Sequence, residues 1–467
     1  MTWGKRLRLI GLLLALVQLA GCATSSLFTP YPERANSYKQ AIRSGDFKGP
    51  LKDLNDRRGS EDKLLFLLER GRLAQLAGDT DASLSDYADA ISAFRNVEDR
   101  AYISASQTLA QGSALFSNDN AIPYEGSPYE RIFLHQFQAL NYVAKGDLDG
   151  ALVEVRRANI EQEQARDAHQ KLIDSAQQDA DRKKVSVNPG NYQGFFAPLD
   201  DAAGRVKNSF QNAYTFYTSA VLYEASGKRD DAYIDYKRAL EIFPDNAFLQ
   251  QDVMRLAQAL GRKDDVQALS ARNIKAPAPA TDGEGNVVVL FEEGFAPPKQ
   301  PVTIPIPWPY TWYMVSFPIY KQPWSAGDNL SISTGSQHLN SATIVDVQAL
   351  ATRALKDNLM PILVRQTLRA YTKHEMAQRA QSQNGDLLGL LVNVYNIISE
   401  QADLRSWLTL PHSAQIARLN LPDGPQQLTL STGRAQTAVT VPVSRGRMTL
   451  LRVTYADGRF YTSSYPL

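Results

Sequence analysis

The chain has 467 residues, of which 43% are hydrophobic and 21% are charged, and its formal net charge is +1. These proportions are typical of a globular protein, and the length is enough for two or three domains. A chain so close to neutrality gives no electrostatic reason to expect binding to nucleic acid.

The first 21 residues have the pattern of an export signal. Lys5, Arg6 and Arg8 precede an apolar run from Leu9 to Leu19. That run has the length of a signal-peptide core and is too short to span a bilayer. The segment therefore predicts a chain that leaves the cytoplasm.

Cys22 is the only cysteine, so neither an intramolecular disulfide nor a multi-cysteine zinc site explains it. With the preceding Leu19-Ala20-Gly21 it resembles the lipobox of bacterial lipoproteins, in which the thiol accepts a diacylglyceryl group. The resemblance implies cleavage after residues 1–21, acylation of the new amino end and stable membrane anchoring. Because Ala23, and not aspartate, follows, it implies the periplasmic face of the outer membrane, with residues 22–45 as a lipidated tether. An ordinary signal peptide with an incidental cysteine is the alternative.

Residues 46–272 predict an α-solenoid of helix pairs with the spacing of tetratricopeptide (TPR) repeats. In its most regular stretch, Ala220 and Ala232 fall where two antiparallel helices touch, Gly227 begins their turn and Pro244 stops the second helix. Such pairs must stack to bury their apolar faces. The same spacing recurs more weakly around Gly78, Gly112, Gly146 and Gly261.

An insertion is predicted at about 159–205. Gly146 and Gly227 are 81 residues apart, which exceeds two repeats of about 34 residues each. The polar run that begins at Asn159 is the expected site of the extra helix. It ends at a Pro- and Gly-containing breaker.

Stacked TPR pairs form a groove lined by the first helix of each pair. Aromatic and polar residues at those positions predict a peptide groove for other proteins. The alternative is that they pack against the insertion or the carboxyl-terminal domain. The candidate groove residues are Tyr214, Tyr217, Val221, Glu224, Gln136, Leu140 and Val143.

A Pro-, Ala- and Gly-rich linker is predicted at 273–286, followed by a β-rich domain at 287–467. About eight short β-branched and aromatic runs flank helices at about 345–402. The apolar run 387–398 is predicted to be a core helix, with an interfacial membrane helix as the alternative. The fold class is therefore α+β and multidomain: a TPR-like solenoid followed by a β-sandwich-like domain with an inserted helical segment.

Three stretches carry a resemblance to a family: "YEGSPYERIFLHQFQALNYVAKGDLDGALVEVRRAN", "DDAYIDYKRAL" and "EQADLRSWLTLPHSAQIARLNLP". They resemble an uncharacterised family of bacterial TPR lipoproteins, whose genes often lie beside those of lipoprotein activators of penicillin-binding proteins. The resemblance implies an envelope role, either in cell-wall synthesis or in another envelope assembly. It implies no activity and no catalytic residues.

The last of those stretches contains a candidate binding site at Glu400, Asp403, Arg405 and Trp407. An arginine can clamp a carboxylate, and a tryptophan can stack on a sugar. The alternative is structural: Arg405 pairs with Asp403 or Glu400, and Trp407 plugs the junction between helix and sheet.

A second candidate surface is the aromatic, proline-rich segment 304–324, which contains Trp308, Trp312 and Trp324. It could bind glycan strands, rest at a membrane interface or dock a partner protein. Prolines also mark edge strands, so an ordinary edge of the β domain is the alternative.

Enzymatic motifs do not appear in the sequence. "HEMAQ" at His374 lacks the second histidine of zinc proteases, and "SGKRDD" at Ser226 lacks the first glycine of a phosphate loop. We therefore expect no enzyme, no cofactor and no metal. The favoured function is a lipid-anchored scaffold or adaptor for envelope proteins. A peptidoglycan-binding module is the alternative. A glycan hydrolase is less favoured, although two acids distant in the chain could meet in the fold as its paired carboxylates.

Overall fold

The structure is a computed structural model that describes residues 29–467 except 58, 61, 107–122, 183–192, 309–310, 336, 360, 368–400 and 434. Within the described elements, the side chains of 97–106, of much of 166–182 and of 306–313 are also outside the description. The predicted lipobox, Gly112, Glu400 and the apolar run 387–398 fall outside the described residues.

The amino-terminal half is helical and consists of antiparallel pairs. In chain order, α1 (Tyr31–Ser44) precedes α2 (Lys48–Asp56), α3 (Lys63–Leu76) pairs with α4 (Thr80–Ser106), and α5 (Pro128–Ala144) pairs with α6 (Leu148–Arg182). The short helices α7 (Gln193–Phe196) and α8 (Pro198–Gly204) follow. The last pairs are α9 (Ala213–Ala225) with α10 (Arg229–Ile242), and α11 (Ala247–Ala259) with α12 (Lys263–Ala271).

The predicted turn glycines lie between the helices of their pairs. Gly146 and Gly227 have φ angles of 73° and 78°, in the left-handed region that side chains with a Cβ rarely adopt. The predicted contact between the helices of the best repeat is also present: Ala220 and Ala232 are fully buried between α9 and α10. These local features of the TPR-like prediction are confirmed.

Two predicted boundaries differ from the structure. Residues 31–44 of the predicted tether form α1, where Ala35 and Tyr38 are fully buried, so the solenoid begins earlier than 46. The predicted insertion does not begin as a separate helix, because α6 continues without a break through 159–182. A polar surface does not stop a helix when its residues have good helix propensity.

The carboxyl-terminal half contains eleven strands in its described part; the helix α13 (Val347–Asp357) follows β6, and residues 361–367 are helical as well. The strands are β1 (Glu284–Glu293), β2 (Gln300–Trp308), β3 (Thr311–Ile319), β4 (Ser331–Ser333), β5 (His338–Asn340), β6 (Ala342–Asp346), β7 (Ser413–Pro422), β8 (Gly424–Thr432), β9 (Ala435–Val443), β10 (Met448–Ala456) and β11 (Arg459–Pro466). The eight predicted runs correspond to β1–β3 and β7–β11. The three missed strands have only three to five residues, too few for a visible alternation.

The strands form two sheets and a separate hairpin. A five-stranded sheet has the order β11-β10-β1-β7-β6, with β1 parallel to β10 and antiparallel to β7. A four-stranded sheet has the order β5-β4-β8-β9, and β2 pairs with β3. The first strand begins at Glu284, so the connection from α12 is shorter than the predicted linker.

Strand β1 shows how the layers are stacked. Val287 and Val289 pack toward the four-stranded sheet, in a cluster whose buried residues come from the strands and from Leu330 just before β4. Val288 and Leu290 alternate with them and join the core of the helical array. The β-sandwich is therefore covered by helices on its other face, and the two predicted domains share one core. The predicted helical part and the predicted β-rich part are both present, and they pack against each other through this core.

Within the part of the chain that the structure describes, no helix combines the length and apolarity that crossing a bilayer requires.

Candidate functional site

The predicted peptide groove is filled by the protein's own carboxyl-terminal half. Six of its seven residues are buried, and the side chain of the seventh, Glu224, is only 13% exposed. The prediction of an open groove is therefore wrong, and the alternative of packing against the carboxyl-terminal half is correct. The buried six are Tyr214, Tyr217, Val221, Gln136, Leu140 and Val143.

Glu292 on β1 forms the first polar contact between sheet and helices. Its carboxylate accepts hydrogen bonds from Arg72 Nη2 on α3 (2.6 Å) and from the Tyr214 hydroxyl on α9 (3.0 Å). Arg452 and Thr454 on β10 also donate to it, at 3.3 and 3.0 Å. Burial alone would raise the pKa of Glu292, but the guanidinium groups of Arg452 and Arg72 hold that pKa at about 2. The buried, charged carboxylate of Glu292 thus links β1 to α3, α9 and β10.

Arg418 on β7 forms a second contact of the same kind. Its Nη1 donates to Glu224 (3.1 Å) and to Asp252 on α11 (2.8 Å). Arg255 on α11 donates to both oxygens of Glu224, at 2.6 and 2.9 Å. Burial would raise the pKa of Glu224, yet Arg418 and Arg255 lower it to about 2. Glu224 therefore serves an internal ion pair rather than a peptide ligand.

A third contact involves residues 401–412, an irregular segment between the undescribed residues and β7 that we call the clasp. Glu69 on α3 is fully buried and accepts hydrogen bonds from two consecutive main-chain N–H groups of the clasp, those of Leu408 (2.8 Å) and Thr409 (3.3 Å). The Tyr31 hydroxyl and the Thr409 hydroxyl also donate to it. Burial raises the pKa of Glu69 to about 7, although these hydrogen bonds act in the opposite direction.

Glu130 on α5 holds the same segment one residue earlier. It accepts a hydrogen bond from the Trp407 main-chain N–H (2.7 Å). It also belongs to a capping box at the start of α5, because it accepts from the Ser127 N–H (2.8 Å). The Tyr124 hydroxyl is a further donor. The Glu130 carboxylate thus caps α5 and also holds the main chain of the clasp.

The predicted binding site in the clasp is not available to a ligand. Arg405 donates to Asp403 through Nε and Nη2 (both 2.9 Å) and to Asp62 through Nη1 (2.5 Å). Burial would raise the pKa of Asp403, but Arg405 lowers it. Arg405 is therefore neutralised within the fold, as the structural alternative predicted. Of the four proposed site residues, only Glu400 lies outside the described part.

Trp407 is fully buried. Its ring packs against Tyr87 on α4 (5.9 Å between ring centroids) and Phe137 on α5 (5.7 Å), in edge-to-face geometry. Its indole N–H donates to the Thr409 hydroxyl (3.1 Å). The plug prediction is thus correct, but the plugged space lies between helices rather than at the junction of helix and sheet. The site hypothesis for Arg405 and Trp407 is wrong.

Several residues of these contacts were not singled out from the sequence. Glu69 and Glu292 each interrupt an apolar run, "LLFLLER" and "VVVLFEE". A charge at an inward position of such a run is costly unless it is paired. A glutamate within an apolar run therefore indicates a buried, paired carboxylate, but the run does not identify the residue that pairs with it.

The predicted aromatic surface is only partly described. The side chain of Trp324 is held by its own chain, because its indole N–H donates to Asp346 and the Arg205 guanidinium lies 3.2 Å from the ring centroid. Trp308 and Trp312 are placed by the backbone register in β2 and β3. Their side chains lie outside the described part of the structure.

The outer side of the helical array carries exposed apolar side chains. Val153 and Ile160 on α6 are 37% and 51% exposed, and Ile234 on α10 is 48% exposed. Val153 and Ile160 are seven residues apart and so share one face of α6. Asn159 donates to Asp235 (3.0 Å) and so joins α6 to α10, whereas Ile160 lines a cleft with Ile91 and Phe94 of α4. We call Val153, Ile160 and Ile234 the outer patch.

A cleft of about 690 Å³ lies between α11, the connection to β1 and strands β5 and β7. Its charged residues Asp252, Arg255 and Arg418 belong to the internal ion pairs described above. No group of three or more potential metal ligands occurs among the described residues.

No protein-family model matches the chain, and no curated protein matches it. Among solved structures, MamA is similar at 11% identity over 50% of this chain and 90% of that chain, with a TM-score of 0.27. The TPR2AB domain of yeast Sti1 in complex with an Hsp90 peptide is similar at 13% identity over 52% and 96%, with a TM-score of 0.20. A tetratricopeptide repeat protein from Parabacteroides merdae is similar at 14% identity over 53% and 94%, with a TM-score of 0.14. Scores this low carry no argument about function, so the site must be interpreted from its own contacts.

Proposed function

We propose that the protein is a lipid-anchored scaffold of the bacterial envelope, facing the periplasm, whose protein partners bind the outside of its helical array. The observation that carries this proposal is the pairing of a closed inner face with an exposed apolar outer patch. The lipobox resemblance at Cys22 supports the anchor and the outer-membrane location. The family resemblance supports a link to cell-wall synthesis.

The inner face cannot be the main binding surface, because opening it would be costly. A partner peptide would have to remove the clasp and leave Glu69 and Glu130 without their main-chain donors. A buried polar group that loses its partner costs about 1–3 kcal/mol, and a charged one costs more. Displacing Trp407 would add the loss of a buried aromatic side chain.

The outer patch has the composition of a protein contact instead. Charged side chains lie on the same two helices: Arg157 pairs with Glu154 (2.5 Å), and Arg238 pairs with Glu163 (3.5 Å). An apolar centre with a polar rim is the usual arrangement of a protein interface. Nothing in the arrangement calls for a cofactor or a catalytic group.

The experiment that tests this role compares purified complexes after crosslinking in intact cells. The double variant Ile160→Glu, Ile234→Glu should lose the partner proteins that are recovered with wild type. Binding would remove the charge of each glutamate from water without a counterion, which weakens the complex. Phe195→Glu, at another exposed apolar residue, is the matched control and should retain them. If the folded double variant recovered the same partner proteins as wild type, the outer patch would not be the binding surface. If wild type itself recovered no specific partner, the protein would not be a scaffold.

The anchor is tested separately. Cys22→Ser should abolish labelling with a fatty-acid analogue and leave the precursor unprocessed, because the lipobox thiol is the acylation site. Normal processing and outer-membrane fractionation of that variant would exclude the lipoprotein.

A further inference from the structure

The hairpin β2–β3 is unlike the rest of the chain in composition. Residues 300–320 contain no charged side chain, and lysines stand at both ends of this stretch, at Lys299 and Lys321. The stretch includes Trp308 and Trp312 of the predicted aromatic surface, but not Trp324. In an otherwise ordinary sequence, 21 consecutive uncharged residues on a hairpin require a physical reason.

One face of the hairpin is fixed in the core. Ile304 and Val315 are opposite one another in the register, and both are buried. Phe317 packs edge-to-face against Phe196 of α7, with ring centroids 6.1 Å apart. The base of the hairpin is therefore rigidly held by the helices.

The other face is open. Thr303 and Pro301 are exposed, and Met314 is 57% exposed, the highest value among the large apolar residues that the structure describes. Met314 pairs with Pro305 in the register, and neighbouring pairs alternate between the two faces. The outward face thus carries no charge: it consists of prolines, the polar pair Thr303 and Ser316, and the exposed Met314.

The free edge of β2 is unsuited to pairing with another strand. Pro301, Pro305 and Pro307 occupy alternate positions, and in the described structure β2 pairs only with β3. Since proline has no N–H to donate, these residues must occupy the positions whose N–H would point away from β3. Of the positions 301, 303, 305 and 307 along this edge, only Thr303 keeps an N–H that a partner strand could use. Fewer unpaired N–H groups lower the cost of placing this edge in an apolar solvent, although its carbonyl groups remain.

From these observations we infer that the outer face of the hairpin lies against the lipid surface of the membrane. Uncharged aromatic and apolar residues bracketed by lysines are typical of segments at the boundary between headgroups and acyl chains. The exposed Lys321 matches anionic headgroups in charge, whereas the Lys299 ammonium donates to the Arg405 main-chain carbonyl (2.9 Å). This inference rests on the proposed lipid anchor: the chain from Cys22 to Tyr31 can reach at most about 30 Å, which keeps the folded body close to the bilayer.

The test uses the full lipidated protein with a single new thiol. Acylation blocks Cys22, the only native cysteine, so Met314→Cys can be labelled alone with an environment-sensitive fluorophore. The protein is reconstituted into vesicles of phosphatidylethanolamine with a minority of phosphatidylglycerol, with and without nitroxide lipids. Ala438→Cys, at an exposed position of β9 in the other sheet, is the matched control.

We expect the label at 314 to shift its emission to shorter wavelength and to be quenched by nitroxide lipids, whereas the label at 438 is not. Equal emission and equal quenching at the two positions would overturn the inference. A wild-type protein that reacts with the fluorophore at Cys22 would instead show that the anchor is absent. In that case the Cys22→Ser, Met314→Cys chain is added to the same vesicles from solution, where a shift at 314 supports the hairpin contact and its absence contradicts it.

Discussion

Replacing Glu292 by glutamine tests whether the buried ion pairs hold the sheet to the helices. Glutamine has nearly the same shape, but it leaves the guanidinium groups of Arg72 and Arg452 without a counterion. Breaking a buried ion pair by removing one partner costs about 3–5 kcal/mol. We therefore expect Glu292→Gln to lower the free energy of unfolding at pH 7 by that amount.

The pKa gives a second route to the magnitude. The pKa of Glu292 falls from an ordinary value of 4.5 to about 2 in the folded protein. A difference of this size corresponds to about 3 kcal/mol of stability. Because the folded pKa is the lower one, the contribution is present above about pH 4.5 and is lost as the pH falls toward 2. The loss of stability expected from the broken ion pair and the loss expected from the pKa shift therefore agree at about 3 kcal/mol.

The assay is urea unfolding of wild type and variant between pH 7 and pH 2, followed by circular dichroism. The difference in free energy between the two proteins should be largest near pH 7 and should shrink below pH 4.5. Glu241→Gln, at an exposed position of α10, is the control and should have the same urea midpoint as wild type. An unchanged midpoint for Glu292→Gln at pH 7, or a gap that persists at pH 2, would refute the assignment.

Three further predictions concern the clasp and the repeat. Trp407→Ala should lower the free energy of unfolding by about 3–5 kcal/mol, measured in urea, because a fully buried aromatic is lost; a wild-type midpoint would show that the clasp is not packed between the helices. The folded pKa of Glu69, about 7, lies above the ordinary 4.5, so the free energy of unfolding of wild type should fall by about 3 kcal/mol as the pH rises from 4.5 to 7. Glu69→Gln should remove this pH dependence. Parallel profiles of unfolding free energy against pH for the two proteins would contradict the assignment. Ala232→Trp should overpack the contact between α9 and α10 and cost about 1–3 kcal/mol; an unchanged melting temperature would contradict the repeat at this position.

Local features of the fold could be predicted from the sequence. Gly146 and Gly227 were identified as turns because their spacing follows the repeat, and the eight longer strands were identified by their β-branched runs. Both signals depend on neighbouring residues only. The partners of Glu69 lie 339 and 340 residues away, and no local pattern contains that information.

The error about the groove has a physical cause. The sequence places Tyr214 and Tyr217 on the first helix of a repeat, where TPR proteins present ligand-binding side chains. However, every residue of α9 from Ala213 to Tyr223 is buried, and no charge occurs in that stretch. A helix without a polar face is typical of a fully covered position. That signal favoured packing against the carboxyl-terminal half over an open groove.

The position of β10 determines when the fold can be completed during synthesis. This strand lies between β11 and β1, so the central sheet stays open until residues near 456 have emerged. Until then the sheet that covers the inner face of the helical pairs lacks β10 and β11, and contacts over such sequence separations form slowly. A chain that stops before β10 would expose unpaired carboxylates and aromatic side chains to proteases. Premature termination, even close to the carboxyl end, should therefore remove the protein from the cell rather than leave a shorter working form.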